Sequence, residues 1–212
     1  MKKKTKTRRS VSLQKRQSLL TKAEIAASDK TLLQKLKSRN KKNKLSALQG
    51  LVLSADLSTG EGKKLRRDVF REYLGSEDPK LATWAANGLG RIGDRRAANA
   101  LILKIRSPHK HLKYKAIQSL RLLGIIKAVR PIVVYGLDEP PASGLAKCSR
   151  EALKDLASIN RKIVINTLAT WGLRNESDWV KTNSKEMLDE LRVLGKSLKT
   201  LPKIFGTPPK KR

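Results

Sequence analysis

Residues 78–102 read DPKLATWAANGLGRIGDRRAANALI, and they carry the clearest structural pattern in the sequence. Asp78 suits the N-cap and Pro79 the first position of a helix. The apolar residues that follow share one helical face: Leu81, Ala85 and Leu89. Gly93 permits a tight reversal, after which Asp94 caps a second helix. The apolar stripe of that helix comprises Ala97, Ala100, Leu101 and Ile105, so the stretch predicts a helical hairpin with an A helix and a B helix.

The same pattern recurs along the chain. A shift of 31 residues aligns apolar or glycine positions of this hairpin with those of the next: Leu81 with Leu112, Ala85 with Ala116, Leu89 with Leu120, Ile92 with Leu123, Gly93 with Gly124, Ala97 with Ala128 and Leu101 with Ile132. A further shift of 33 carries Leu112 to Leu145, Leu120 to Leu153 and Leu123 to Leu156. Because one hairpin cannot bury its apolar face alone, consecutive hairpins are expected to stack into a right-handed α-solenoid.

The 78–102 stretch resembles the HEAT-like repeat first described in phycobilisome lyases. It carries the D-P start, the A-A-x-x-L-G-x-I-G-D segment and the R-A-x-x-A-L-I segment of that repeat. Less complete matches follow over residues 108–132 and 145–168. The resemblance implies an all-α fold of about four HEAT-like hairpins between residues 40 and 168. It does not imply lyase activity, because repeats of this kind act mostly as scaffolds and binding surfaces.

The chain divides into three segments by composition. Residues 1–44 hold 16 Lys and Arg against 2 acids, so we expect residues 1–40 to form a basic extension, partly disordered when free. Leucine and isoleucine spacing between residues 13 and 36 allows an amphipathic helix within it. The solenoid is expected over residues 41–204, sealed by a capping helix over 177–200. Residues 205–212 form a second basic tail.

The overall charge is the strongest clue to a partner. There are 48 Lys and Arg against 18 Asp and Glu, a formal charge of +30 with a pI near 10.7. Between Arg95 and Leu137 there are ten cations and no acid. A protein of this charge repels itself, so a polyanion is the simplest compensation. Nucleic acid or a nucleoprotein particle is therefore the expected partner, with recognition of backbone and shape rather than sequence.

The repeat register selects the candidate contacts. The resemblance implies that B helices line the concave side, and the register places Arg96 over Lys127, Asn99 over Arg130, and Arg161 with Lys162 near the same level. Free backbone N–H groups in the first turn of a helix already favour an anion. The candidate nucleic-acid-binding residues are Arg95, Arg96, Lys104, Lys127, Arg130, Arg161 and Lys162, with Lys2, Lys3, Lys4, Arg8 and Arg9 in the extension.

Two other functions stay open at this stage. One is a scaffold that binds an acidic protein, with the basic extension serving as a nuclear or organellar address. The other is an alkylpurine DNA glycosylase of the HEAT-like type, because residues 163–172 and 178–180 are loosely similar to the C-terminal repeats of that family. Its candidate residues would be Trp84, Trp171, Trp179 and Asp178. The family's context around the catalytic acid is not reproduced, and Trp171 is expected in the core.

Several classes of site find little support in the sequence. A lone Cys148 allows no internal disulfide or thiolate metal site and is expected to be a small packing residue in a reducing, intracellular compartment such as cytoplasm or nucleoid. His109 and His111 suit a surface turn. Four lysines near the starts of A helices are expected to be solvated, or to form a second face: Lys80, Lys110, Lys113 and Lys115. We predict no enzyme activity, cofactor, metal, small-molecule substrate or membrane span.

Overall fold

The computed structural model describes residues 22–54 and 60–193, and every regular element within these ranges is helical. The helices are α1 (Lys22–Leu36), α2 (Lys41–Leu53), α3 (Gly60–Leu74), α4 (Pro79–Ile92), α5 (Ala98–Lys104), α6 (Lys110–Leu122), α7 (Val129–Pro131), α8 (Gly144–Thr167) and α9 (Asp178–Val193). The 3-10 turns Arg95–Ala97 and Ile126–Ala128 lead into α5 and α7, and the π-helical turns Ile132–Gly136 and Leu168–Gly172 extend α7 and α8.

These helices form hairpins. The first helices of successive hairpins make one layer, and the second helices make another. We define the A layer as α2, α4, α6, the part of α8 before Asn160, and α9, which pack successively against one another. The B layer comprises α3, α5, α7 and the part of α8 from Asn160 to Gly172, each with its flanking turns. Asn160 has φ −148° and ψ 85°, so the helix breaks there and α8 supplies a whole hairpin. The predicted all-α, HEAT-like solenoid is confirmed.

The capping and turn predictions are confirmed in detail. The Asp78 side chain accepts a hydrogen bond from the Lys80 amide at 2.9 Å, with Pro79 in the first turn of α4. Gly93 ends that helix at φ 78°, and Gly124 stands at the equivalent place at φ 62°. A side chain at either glycine would be strained, because L residues rarely adopt this left-handed conformation.

The core follows the predicted register with one exception. The aligned leucines of three hairpins are all buried: Leu81, Leu89, Leu112, Leu120, Leu145 and Leu153. In α5 and the 3-10 turn before it, Ala97, Leu101 and Ile105 are buried, but Ala100 is exposed. The buried residues are spaced by four, so their face excludes the position just before Leu101.

Small residues bring successive helices into close contact. A Cβ added to Gly90 of α4 would lie 2.8 Å from the backbone Cα of Ser119 in α6. The Ser119 hydroxyl donates to the Ala86 carbonyl at 2.8 Å, so the close approach is also hydrogen-bonded. Gly136 and Ser149 repeat the arrangement one hairpin later, where the serine hydroxyl donates to the Gly136 carbonyl at 2.9 Å. Gly90 therefore allows the close approach of α4 and α6, and Gly136 allows that of α8 to the turn after α7.

Helix α1, which lies within the segment where leucine and isoleucine spacing allows an amphipathic helix, packs onto the solenoid. Arg66 of α3 is buried and donates from Nε to Asp29 of α1 at 3.1 Å. The same guanidinium also donates to the Leu51 and Ser54 carbonyls. The Tyr73 hydroxyl donates to the Leu36 carbonyl at 3.3 Å. A buried arginine needs an acid beside it, so α1 completes the solenoid at this end.

Helix α9 closes the other end of the described chain. Met187, Leu188 and Leu191 are buried against the preceding hairpin, as predicted for a capping helix. The Ser177 hydroxyl donates to Asp138 at 2.6 Å and ties the start of α9 to the loop before α8. The predicted continuation to residue 200 and the tail at 205–212 lie outside the described residues. No helix among those described is long and apolar enough to cross a membrane.

Candidate nucleic-acid interface

A groove opens between the first turns of two neighbouring B-layer elements. Its volume is ≈ 470 Å³, and its lining residues are Arg95, Arg96, Ala98, Asn99, Gly124, Ile125, Ile126 and Lys127. The three cations in this lining are all exposed. The structure thus brings together Arg95, Arg96 and Lys127, which the repeat register had placed at one level. We call this set of residues the B groove.

The acid nearest to the B groove faces away from it. Asp94 is buried, and its carboxylate accepts two hydrogen bonds from Arg71 of α3, at 2.7 Å from Nε and 2.8 Å from Nη2. The hydrogen bonds that Arg71 donates to Asp94 raise the pKa of the Arg71 guanidinium, so this side chain stays positively charged. The same carboxylate accepts the Arg96 amide at 3.3 Å and so fixes the turn that presents the cations.

The cations of the B groove are not neutralised within the described part of the chain. Arg95, Arg96 and Lys127 form no ion pair with any acid in residues 22–54 and 60–193. The B-layer segments 95–106, 126–137 and 160–173 contain no acid at all. Their net charge must therefore be balanced by mobile ions or by a bound polyanion.

Charged side chains of the A layer form ion pairs between neighbouring helices. Its successive helices are linked by ion pairs: Arg121 with Glu151 and Asp155, Arg150 with Glu186, and Lys154 with Glu190. At the start of the layer, Lys41 of α2 pairs with Asp78. Most acids of the latter half of the chain lie in this layer, where they hold neighbouring helices together. These acids thus pair with A-layer cations within the protein, whereas the three cations of the B groove have no acidic partner among the described residues.

The other predicted residues lie in several places. Arg130 stacks on the Trp171 ring, with its guanidinium carbon 3.5 Å from the ring centroid. Lys162 is exposed in the first turn after Asn160, whose side chain accepts the Ile163 amide at 3.1 Å. Lys104 lines a separate opening of ≈ 430 Å³ at the other end of α5. The predicted residues Lys2, Lys3, Lys4, Arg8 and Arg9 lie outside the described part of the chain.

Arg161 has a structural contact that the sequence did not indicate. Its Nη2 donates to the Leu191 carbonyl near the end of α9, and the side chain is half-buried. Arg161 therefore joins α8 to α9, and Lys162 is the more accessible cation of that turn.

The prediction that Trp171 lies in the core is wrong. Its side chain is 45% exposed, and that of Trp179 is 48% exposed. Leu168 and Gly172 of the same π-helical turn face inward instead. A tryptophan in an apolar stretch is usually buried, and the sequence held no sign of the π-helical turn that redirects this one.

The residues weighed for a glycosylase do not form an evident acid site. Trp84 lies in α4, Trp171 in the B layer, and Trp179 with Asp178 at the start of α9. The Asp178 side chain is 94% exposed and pairs with Lys181 at 3.0 Å. A carboxylate in that setting is solvated rather than held beside a bound base.

The remaining candidates have ordinary roles. Cys148 is buried, and its burial, followed by the nearby Glu151, raises the pKa of the thiol to about 11. His109 and His111 are exposed, and the described residues contain no cluster that could hold a metal ion. Of the A-helix lysines, Lys110 pairs with Glu139 at 3.0 Å, and Lys113 donates to the Tyr135 carbonyl at 3.3 Å. Lys115 donates to Gln118 at 2.9 Å, and Lys80 is exposed.

In a comparison with protein families, residues 30–121 match the family model of HEAT repeats. The match spans α2 to α6 and part of α1, so the resemblance to HEAT-like repeats is confirmed over that range. HEAT repeats form helical scaffolds for interactions and are generally non-catalytic. A comparison with curated proteins found no match.

Proposed function

We propose that this chain is a non-catalytic HEAT-repeat module that binds nucleic acid, alone or within a nucleoprotein particle, through the phosphate backbone. The observation that carries the proposal is the B groove, in which Arg95, Arg96 and Lys127 converge without a neutralising acid. Clustered arginine and lysine side chains bind phosphate groups, and the backbone of a nucleic acid offers many phosphates in succession.

The backbone turns of two hairpins place the three cations in one groove. Arg95 and Arg96 lie in the 3-10 turn that begins the α5 segment, and Lys127 lies in the equivalent turn before α7. Because the two turns share one groove, a phosphate there would meet side chains from both hairpins.

The remaining cations extend this surface along the polymer. Arg130 follows Lys127 on the same B-layer element, Lys162 lies on the next one, and both are exposed. The basic residues of the extension, Lys2, Lys3, Lys4, Arg8 and Arg9, would add contacts that order only on binding. Since such contacts read charge and spacing, we propose binding with little sequence preference, in a cytoplasmic or nucleoid setting.

A salt series tests this function against the rival scaffold function. Fluorescence anisotropy of the full chain with labelled DNA and RNA should show binding that weakens linearly on a log-log plot, by about 0.9 per phosphate contact on duplex DNA. Heparin should compete. Absence of any nucleic-acid complex at low salt, together with retention of an acidic protein at high salt, would contradict the proposal and favour a protein scaffold.

A further inference from the structure

Resting on the proposed function, we infer that Trp171 and Arg130 form a stacking platform for an unpaired base, so the preferred ligand is single-stranded nucleic acid. The platform lies in the B layer, where α7 meets the π-helical turn Leu168–Gly172. It is separate from the B groove and is made by a different pair of hairpins. The groove explains phosphate binding, whereas the platform adds contacts with the bases themselves.

The geometry places two stacked planar groups at the protein exterior. The Arg130 guanidinium carbon lies 3.5 Å from the Trp171 ring centroid, within the distance of a cation–π contact. Trp171 is nevertheless 45% exposed, and Arg130 is exposed as well. The contact therefore orders both planar groups without burying them, which lowers the entropy lost when a third planar group stacks there.

The backbone explains why the ring leaves the core. Leu168 is fully buried, and Gly172 packs so closely on Ser184 of α9 that a Cβ would overlap the serine side chain. These two residues hold the π-helical turn against α9, and Trp171 lies on the outside of it. Ile163, earlier on the same segment, is also 40% exposed.

The surroundings identify the partner by charge. Neither segment that forms the platform, 126–137 or 160–173, contains an acid, and exposed Lys162 lies on the same segment as Trp171. An acidic protein could satisfy the charge, but a nucleic acid alone presents phosphates and planar rings at regular spacing. Every base has a π face, so stacking here would not depend on sequence. A duplex keeps its bases stacked on one another and would offer only phosphates.

Trp179 provides a matched control. It is 48% exposed, almost the same as Trp171, but it lies in the first turn of α9 next to the exposed acid Asp178. No cation–π contact is found for Trp179 among the described residues. Loss of an exposed indole is thus common to both alanine variants, and only the cationic platform differs.

The experiment measures the affinities of the full chain, Trp171→Ala and Trp179→Ala for single-stranded and duplex oligonucleotides at one salt concentration, in RNA and DNA forms. Trp171→Ala should weaken single-strand binding by about tenfold and leave duplex binding unchanged. Trp179→Ala should change neither. Equal losses for both strand forms, or equal losses in both variants, would overturn the platform.

Two further measurements keep the test decisive if Trp171→Ala perturbs folding. Trp171→Phe retains a smaller ring and should show a loss of single-strand affinity between those of wild type and Trp171→Ala. Tryptophan emission should be quenched by a single strand in wild type and Trp179→Phe, and much less in Trp171→Phe. Unchanged quenching in Trp171→Phe would overturn the platform. If wild type binds both strand forms and Trp171→Ala does not alter the preference, the platform alone is wrong. If wild type binds neither, the proposed function is wrong as well.

Discussion

The A layer and the B layer of the solenoid use charged side chains in different ways. In the A layer, Arg121, Arg150 and Lys154 pair with acids of the next helix. The B-layer segments that follow Asp94 in the sequence contain cations but no acids. The three cations of the B groove have no acidic partner among the described residues. Acids in the A layer occupy cations of the neighbouring helix, whereas the cations of the B groove remain available to a partner.

The two layers also differ in how much stability their charges are expected to contribute. An exposed ion pair contributes little, because water and salt screen it and two side chains lose freedom. A buried pair costs much when one member is removed, because the other charge is left without a partner. The described chain has examples of both, so single substitutions can separate structural charges from binding charges.

The largest expected effect comes from the buried pair at the N-terminal end of the B layer. Asp29→Ala leaves Arg66, whose side chain is 1% exposed, without its carboxylate. Breaking such a pair costs roughly 3–5 kcal/mol of unfolding free energy. Urea denaturation followed by circular dichroism would measure it. A loss below about 1 kcal/mol would show that α1 does not depend on this contact.

Close packing in the A layer should give the next largest effect. Gly90→Ala places a Cβ within 2.8 Å of the Ser119 backbone, so α4 and α6 must move apart. Overpacking of this kind costs about 1–3 kcal/mol. Gly144→Ala is the matched control, because a Cβ there meets nothing within 4 Å. Thermal unfolding should separate the two variants, and similar Tm values would contradict close stacking at Gly90.

Asp94 both pairs with an arginine of α3 and fixes the turn that presents the B-groove cations. Asp94→Asn removes the carboxylate that binds Arg71 but keeps a side-chain oxygen for the Arg96 amide. We expect a loss of about 1.5–2 kcal/mol in unfolding free energy, typical of charge-assisted hydrogen bonds. Nucleic-acid affinity of the folded variant should not fall, because the change makes the vicinity of the B groove more positive. Weaker binding by a stably folded variant would argue against a phosphate site there.

The smallest effect is expected for an exposed pair of the A layer. Glu186→Gln removes the partner of Arg150 between α8 and α9, where the glutamate is 45% exposed. Its effect on unfolding free energy should stay below about 1 kcal/mol. The same denaturation assay would check this value. A loss as large as that for Asp29→Ala would mean that the A-layer pairs are structural anchors rather than screened contacts.

The sequence was sufficient for the hairpins and insufficient for some of their surfaces. Asp78, Gly93 and Asp94 have strong local preferences, and the leucine register is repeated, so the caps, turns and core could be predicted. The burial of Asp29 with Arg66 could not, because the two residues are 37 positions apart. The exposure of Trp171 could not be predicted either, because residue type alone does not reveal a π-helical turn. Grouping Arg95, Arg96 and Lys127 required only the 31-residue shift, which the structure retains.

The most direct test of the difference between the layers is the salt dependence of nucleic-acid affinity in two triple variants. One carries Arg95→Gln, Arg96→Gln and Lys127→Gln in the B groove. The other carries Lys80→Gln, Lys147→Gln and Lys185→Gln at exposed, unpaired A-layer lysines within the described chain, so both lose three charges. The B-groove variant should show a log-log salt slope shallower by about 0.9 for each lost duplex-DNA contact, and the A-layer variant should match wild type. Equal slopes in the two variants would contradict a phosphate-binding B layer.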